Sequence, residues 1–511
     1  MRTVWPAALA AVLAACGGSK ESPPPPPPGT FTLSGTVTYD SVPPTVNLGL
    51  DYAHTVPKPV RGAVVEVVAG SALGSGTTSD AGAYSITWTG TPAVSLRVKA
   101  QTLAPPMRVQ DNFNGNALYA LDSGAVNAST TSTLDLNAPS GWTGSSYGAP
   151  RAAAPFAILD SMYSAAKAFL AVAPGTVFPE LKANWSPNNS LGTFYDPSTG
   201  ELTLLGQANV DTDEYDTHVV IHEWGHYFED RLSRADSQGG SHSLGEQKDP
   251  RLAFSEGWGN ALGAMVLYPD DLYADTMGAS QTATGIRFHL ETDTDYDSAP
   301  GWYSEMSVAH FLYDVFDSPA SDDEGLSLGL GPIHGVLVGP QKATPAFTTL
   351  FSFVDALKTT QPAAATAIDA RLSGRNVSIG ATDAFGTGET VNAPGVGNLP
   401  VYNPITVNGG QVSVTLNAPY SYNDLQQTRF LRFTGNGAQV TITAGTTLVD
   451  VSLEVWSGGQ RLRKVDTPGP PFEGVETTSL PTTAGATYLV VVTGYETAGG
   501  AYSVPVTVTS P

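Results

Sequence analysis

The chain has 511 residues, and its 47 acidic against 24 basic side chains leave a net charge of −23. Such a length calls for about three domains, and the acidity excludes nucleic acid or an anionic membrane surface as a natural partner, since both would repel it. One cysteine is present, so no disulfide can form within the chain, and stability must come from packing, metal and length.

In chain order, Met1-Arg2 leads into an apolar run over residues 4–15. That run is too short for a permanent membrane span and has the length and flanks of a secretory signal. It closes on Leu13-Ala14-Ala15-Cys16-Gly17, which resembles the bacterial lipobox. The resemblance implies that residues 1–16 are a lipoprotein signal and that Cys16 carries the lipid holding the chain to a membrane; a plain signal cut nearby is the alternative. Residues 17–29, with an unbroken proline run over 23–28, read as a stiff tether.

Residues 30–140 alternate apolar and polar side chains at 31–39, 63–68, 84–88 and 94–98, separated by Gly, Pro and Asp. This pattern predicts a small β-sandwich. The succession S-G-T-V, P-V-R-G-A-V-V-E-V and T-T-S-D-A-G-A-Y-S-I resembles the transthyretin-like, carboxypeptidase-regulatory domain, which implies a structural or adhesive module without catalysis.

After a Gly/Ser linker at 141–150, a helix is expected over 155–171, with Phe156, Leu159, Tyr163, Ala166 and Leu170 on one face. Short strands follow near 193–195 and 201–205. Then comes His222-Glu223-Trp224-Gly225-His226. Two histidines four apart lie about 40° apart around a helix and can grip one zinc ion, while Glu223 points aside, free to take a proton from an attacking water. Ile221, Trp224 and Phe228 form an apolar stripe opposite them, and Asp211, Asp213, Glu214 and Asp216 precede the run where they can cap it. An ordinary amphipathic helix with two incidental histidines is the plain alternative.

A zinc centre needs a third protein ligand. Glu256 is the best placed, opening a second apolar helix to about residue 267, with small residues after it that let two helices approach closely. Residue 232 is leucine, which excludes the metzincin spacing, and Glu229 or Asp230 would reach the ion only from the same helix, at a poor angle. H-E-W-G-H followed by S-E-G-W-G-N-A resembles the gluzincin metallopeptidases, especially the fungalysin and thermolysin-like branch. That resemblance implies a two-lobed α+β unit over residues 141–394, with His222, His226 and Glu256 as zinc ligands and Glu223 as general base. It also implies that position 260 orients a zinc histidine, where Asn260 replaces the usual aspartate and Asp216 is a possible compensating partner. By the same analogy, the strand over 202–206 would pair with extended substrate.

Further along, alternating acids at Glu291, Asp293, Asp295 and Asp297 are a candidate calcium loop, without the glycine an EF-hand needs at its sixth position. An oxyanion donor is also required, and Tyr303, ahead of a helix over 306–316, is the first choice, with His334 and then His310 behind it. Helices over 345–358 and 362–372 complete this half. Residues 395–511 return to short strands and resemble the C-terminal β-sandwich of many secreted bacterial peptidases. The whole reads as a multidomain chain, β-sandwich, thermolysin-like α+β unit, then β-sandwich. Its expected activity is that of a zinc-dependent, lipid-anchored endopeptidase acting on protein or peptide outside the cytoplasm. The rivals are a zinc hydrolase of another class, a degenerate zinc protein, and a structural surface lipoprotein.

Overall fold

The structure is a computed structural model that describes residues 29–45, 47, 49–276, 285–292, 296–317, 325–378, 383–394, 397–418, 423–446, 449–467, 474–497 and 499–511. The signal run, Cys16 and the proline tether lie outside the described residues.

The N-terminal strands follow the alternation in the sequence. Gly29–Ser41 pairs with Ala83–Gly90 and Val56–Pro59 antiparallel and with Leu136–Ala138 parallel. The facing sheet contains Ser71–Thr77, Ala63–Ala69, Ala93–Leu103 and Pro106–Asp111. It does not stop there. Leu181–Trp185 adds in parallel to Pro106–Asp111, with Ala183 opposite Val109 and Asn184 opposite Gln110, and Glu201–Leu204 and then Phe194–Asp196 extend the sheet further. Gln110 Nε2 donates to Asn184 Oδ1 at 2.8 Å across the junction. The boundary expected near residue 140 is therefore crossed by backbone hydrogen bonds, because Pro106–Asp111 would otherwise be an exposed edge.

Helix α1 (Ala154–Val172) covers this junction. Its buried residues include Phe156, Leu159, Tyr163 and Ala166 of the expected stripe, whose last member, Leu170, is half-buried, but also Ile158, Met162 and Phe169. One flank meets the first sandwich, where the Tyr39 hydroxyl donates to Asp160 at 2.9 Å and the Tyr163 hydroxyl to Asp80 at 3.0 Å. The other flank meets α2 (Thr217–Arg231), where Phe169 stacks on Phe228 with ring centres 4.3 Å apart.

Beyond α2 come α3 (Pro250–Leu267), an antiparallel pair Leu272–Asp275 and Ile286–His289, then α4 (Glu305–Phe316) and α5 (Leu330–Val338). The two helices expected over 345–358 and 362–372 are observed as Leu350–Thr360 and Ala365–Gly374. The first starts late, after Thr349, whose N–H donates to the Ser352 hydroxyl at 2.9 Å. Among the described residues no helix is long and apolar enough to cross a membrane.

The C-terminal part is a β-sandwich. A five-stranded sheet ordered Tyr402–Pro404, Thr428–Thr434, Thr487–Gly494, Val451–Ser457 and Gln460–Val465 accompanies a four-stranded sheet ordered Val412–Asn417, Ala501–Thr509, Gln439–Ala444 and Glu476–Pro481. Its interior, including Leu431, Val440, Leu453 and Val504, forms a core of its own.

A buried ion pair ties the start of the central region to the turn before α2. Arg151 Nη1 donates to Glu214 Oε1 at 2.8 Å, both side chains almost fully buried, and the guanidinium lies 5.0 Å from the Trp185 ring centre. Arg151→Ala would strand the Glu214 carboxylate in the interior, and a loss of about 3–5 kcal/mol is expected. Urea unfolding would measure it, and a loss well below that range would mean another cation serves Glu214.

Candidate metal centre

The sequence makes α2 a helix that presents Ile221, Trp224 and Phe228 to α1, and all three are buried. His222 and His226 lie on its other side, facing α3. The four acids before α2 do not cap it, since Asp216 makes no side-chain cap bond and Asp211, Asp213, Glu214 and Asp216 are all buried. Helix α3 is started by Asp249, whose side chain accepts from Arg251 N, and it crosses α2 at glycine. A Cβ on Gly225 would meet Gly259 Cα at 3.4 Å, and one on Gly259 would fall 2.7 Å from His222 Nδ1. Hydrogen at Gly259 leaves the His222 ring its place, and the lack of a side chain at Gly225 keeps the crossing close enough for α3 to carry Glu256 up to the histidines.

The approach brings three donor atoms together. His222 Nε2 and His226 Nε2 are 3.0 Å apart, and Glu256 Oε2 lies 3.1 Å from the first and 3.3 Å from the second. A tetrahedral zinc ion with bonds of about 2.0–2.1 Å needs ligand atoms about 3.3 Å apart. Two imidazoles and one carboxylate form a donor set that suits zinc, so the residues present fit the ion. Burial disfavours charge on His226, yet Glu256, Glu223 and Glu229 together outweigh it and lift the ring to about 10. Burial raises and the imidazoles lower the Glu256 carboxyl, which ends well below the usual carboxylate range.

Both rings are oriented from behind. Asn260 Oδ1 lies 3.0 Å from His222 Nδ1, an arrangement that leaves Nε2 for the ion. His226 Nδ1 meets Ser255 Oγ at 3.2 Å, and that hydroxyl donates to Glu229 Oε2 at 2.6 Å. Glu229 thus acts one hydroxyl removed from His226. Asp216 serves neither ring: its Oδ2 accepts from Thr276 N at 3.0 Å and Thr276 Oγ1 at 2.8 Å.

The three donors line a cavity of about 860 Å³ together with Glu223. Glu223 Oε2 accepts from Tyr195 N at 2.7 Å, so a backbone amide of the outermost strand, Phe194–Asp196, fixes its carboxylate. The strand over 202–206 expected to pair with substrate is interior instead, flanked on both sides within its sheet. Phe194–Asp196 covers the edge it would have used.

The oxyanion donors chosen from the sequence are elsewhere. Tyr303 is fully buried and donates to Pro300 O at 3.2 Å. His334 packs against Phe169 and Phe228, behind α2. His310 is fully buried, with Nδ1 2.8 Å from Leu290 O. Besides His222 and His226, the cavity is lined by His242, in the loop between α2 and α3. Its Nε2 stands 3.2 Å from Glu256 Oε2, and its Nδ1 is 2.8 Å from Glu305 Oε2. Burial works against its charge, but Glu305 and Glu256 outweigh that and lift it to about 9. The only sequence signal for it was its scarcity, one of 8 histidines.

In the candidate calcium loop, Asp297 accepts from the Ser304 and Ser307 hydroxyls, each at 2.6 Å, and so braces the start of α4. Asp293 and Asp295 lie outside the described residues.

Residues 176–366, which contain α2, α3, His242 and most of the cavity, match the family described as Mycolysin C-terminal domain. This is a peptidase-associated region. No curated protein matches the chain. Among solved structures, similarity is found to the pre-peptidase C-terminal domain of a collagenase from Bacillus anthracis, at 12% identity over 21% of this chain and 93% of that one, with a TM-score of 0.17. The surface-associated copper-binding protein CorA of Methylomicrobium album BG8 is also similar, at 12% identity over 22% of this chain and 99% of that one, with a TM-score of 0.15.

Gly259→Ala tests the helix crossing. The added methyl would push the His222 ring from its place, and zinc affinity should fall about 10–100-fold, read by competition with a chromogenic chelator. Unchanged affinity with unchanged helix content would show that His222 has room to move.

Proposed function

We propose that the chain is a zinc-dependent endopeptidase whose centre is His222, His226 and Glu256. The observation that carries this reading is the meeting of three donor atoms at 3.0–3.3 Å on the wall of a cavity that also holds Glu223 and His242. Zinc held there would supply Lewis-acid polarisation of a peptide carbonyl and of a water. Glu223, anchored by Tyr195 N, takes the proton of the attacking water and delivers it to the leaving amine. His242, its Nδ1 engaged by Glu305 and its Nε2 3.2 Å from Glu256 Oε2 on the cavity wall, would, once that carboxylate oxygen is taken up by a metal ion, offer its protonated Nε2–H to the oxyanion.

The zinc-loaded chain should cleave unstructured protein such as casein, and a chelator should stop it. Glu223→Gln is expected to keep zinc and lose about 10²–10⁴ in kcat, whereas Glu256→Ala is expected to lose zinc itself. His242→Ala should keep zinc and lower kcat about 10²–10³-fold with little change in KM. Full cleavage by Glu223→Gln would remove that residue from the reaction.

We further place the chain outside the cytoplasm, anchored through Cys16, on the strength of Leu13-Ala14-Ala15-Cys16 and of the lone cysteine. In a bacterial host, a clickable palmitate analogue should label the wild type and not Cys16→Ser. Equal labelling of both would discard the anchor.

A further inference from the structure

Beside the catalytic centre the same cavity has a second lobe of different chemistry. Asp211 and Asp213, in the turn before α2, and Asp275, at the end of Leu272–Asp275, each place one carboxylate oxygen within 4.8 Å of the others. Asp213 is 2% exposed, and while its Oδ2 accepts from the Thr193 hydroxyl, its Oδ1 has no hydrogen-bond partner among the described residues. A buried carboxylate oxygen left without a donor is costly unless something arrives to supply one.

Within the cavity wall only the Asp211 carboxyl, itself acidic, comes within hydrogen-bond reach of Asp213, whose own carboxyl is raised well above the usual range by burial and the neighbouring acids. Among the described residues the wall contains no lysine or arginine, and Arg151, the buried cation nearby in sequence, is engaged by Glu214. Phe194, Leu205, Val219, Tyr273 and Ile286 line the cavity with the three acids. Asp275 is near enough to His222 for the two to interact electrostatically.

We propose that this lobe is a substrate subsite for a lysine or arginine side chain, with Asp211, Asp213 and Asp275 as its recognising carboxylates. The proposal rests on the peptidase reading, since it seats a residue next to the scissile bond. Apolar walls take the aliphatic stem and the buried acids take the charged head, which is how such amphipathic side chains are accommodated. A guanidinium brings five N–H donors in a planar fork, well suited to several carboxylates at once. A bare calcium ion fits less well, because it seeks six to eight oxygens and gains nothing from apolar walls. Burial, with the neighbouring acids, lifts Asp211 to about 6 and Asp275 to about 7; a bound cation would keep both ionised.

The test is mapping of cleavage sites by the zinc-loaded full chain in a peptide library, followed by kcat/KM for an arginine peptide and its leucine counterpart. Lysine and arginine should be enriched at one position flanking the cleaved bond. Asp213→Asn should lower the arginine-over-leucine ratio about tenfold or more, and Asp275→Asn should move it the same way should the first variant unfold. Cleavage without basic preference, or an unchanged ratio in folded variants, overturns the subsite and leaves the peptidase reading standing. Calcium binding that Asp213→Asn abolishes, without basic preference, overturns it in favour of a metal site. No cleavage of any peptide by zinc-loaded protein defeats the peptidase reading, and the subsite falls with it.

Discussion

The contact on which the centre depends is the backbone approach of α2 and α3 at Gly225 and Gly259. Each glycine inside a helix costs about 0.5–1 kcal/mol against alanine, and α3 contains three of them at 257, 259 and 263. What offsets this is the burial of Trp224, Phe228, Phe254 and Trp258 around the crossing, each contributing about 1.5–3 kcal/mol. The glycines are divided between two neighbours. Gly259 faces His222 of α2, whereas a side chain on Gly257 would strike Val308 and the Glu305 carbonyl of α4. Helix α3 is thus fitted on both sides, and Glu256 has little freedom to leave the histidines.

The C-terminal sandwich is more than an appendage to this arrangement. Asn423 Nδ2 donates to Gly239 O at 3.0 Å and Ser241 O at 3.1 Å, the backbone just before His242. Gly239 and Gly240 turn there with φ of 62° and 102°, a region open to glycine. Asp249 N donates to Asn423 O at 2.8 Å, and Lys248 pairs with Asp424 at 2.8 Å. Arg251 lies 4.9 Å from the ring centres of both Phe347 and Phe430. A loop of Gly, Ser and Gln would otherwise hold His242 loosely. The sandwich supplies the rigidity the loop lacks.

Much of the centre could be read from the chain because its parts are local. His222, Glu223 and His226 share one helix and Glu256 and Asn260 another, so helical periodicity alone fixes how each set is presented. His242 could not be read that way, since it lies in an aperiodic loop whose path is set by Asn423, far away in sequence. The hold on Glu223 is a backbone N–H of Tyr195, a group every residue but proline possesses and no motif marks. Asp211, Asp213 and Asp216 matched the pattern of helix-capping acids, and only their burial shows otherwise. The parallel pairing of Leu181–Trp185 with Pro106–Asp111 joins segments that composition separates with a Gly/Ser linker, and parallel register leaves no turn signature between its strands.

Those buried acids also change the meaning of the net charge. A value of −23 suggests a solvated acidic surface, yet Asp211, Asp213, Glu214, Asp216, Glu223, Glu229, Glu256 and Glu305 are all buried around one helix pair. Burying a carboxylate requires an answering donor or cation. Away from the cavity Glu214 is answered through Arg151, Asp216 through Thr276 and Glu229 through the Ser255 hydroxyl, each on one oxygen, while Glu214 Oε2 and Glu229 Oε1 have no hydrogen-bond partner among the described residues. On the cavity side the answers are imidazoles at Glu256 and, for Asp213 Oδ1, nothing among the described residues. The buried acids are thus answered in part on both sides of the helix pair, and what distinguishes the cavity side is that Glu256 is met by imidazoles, groups that a metal ion can share, whereas Glu214 is met by a guanidinium fixed in the interior.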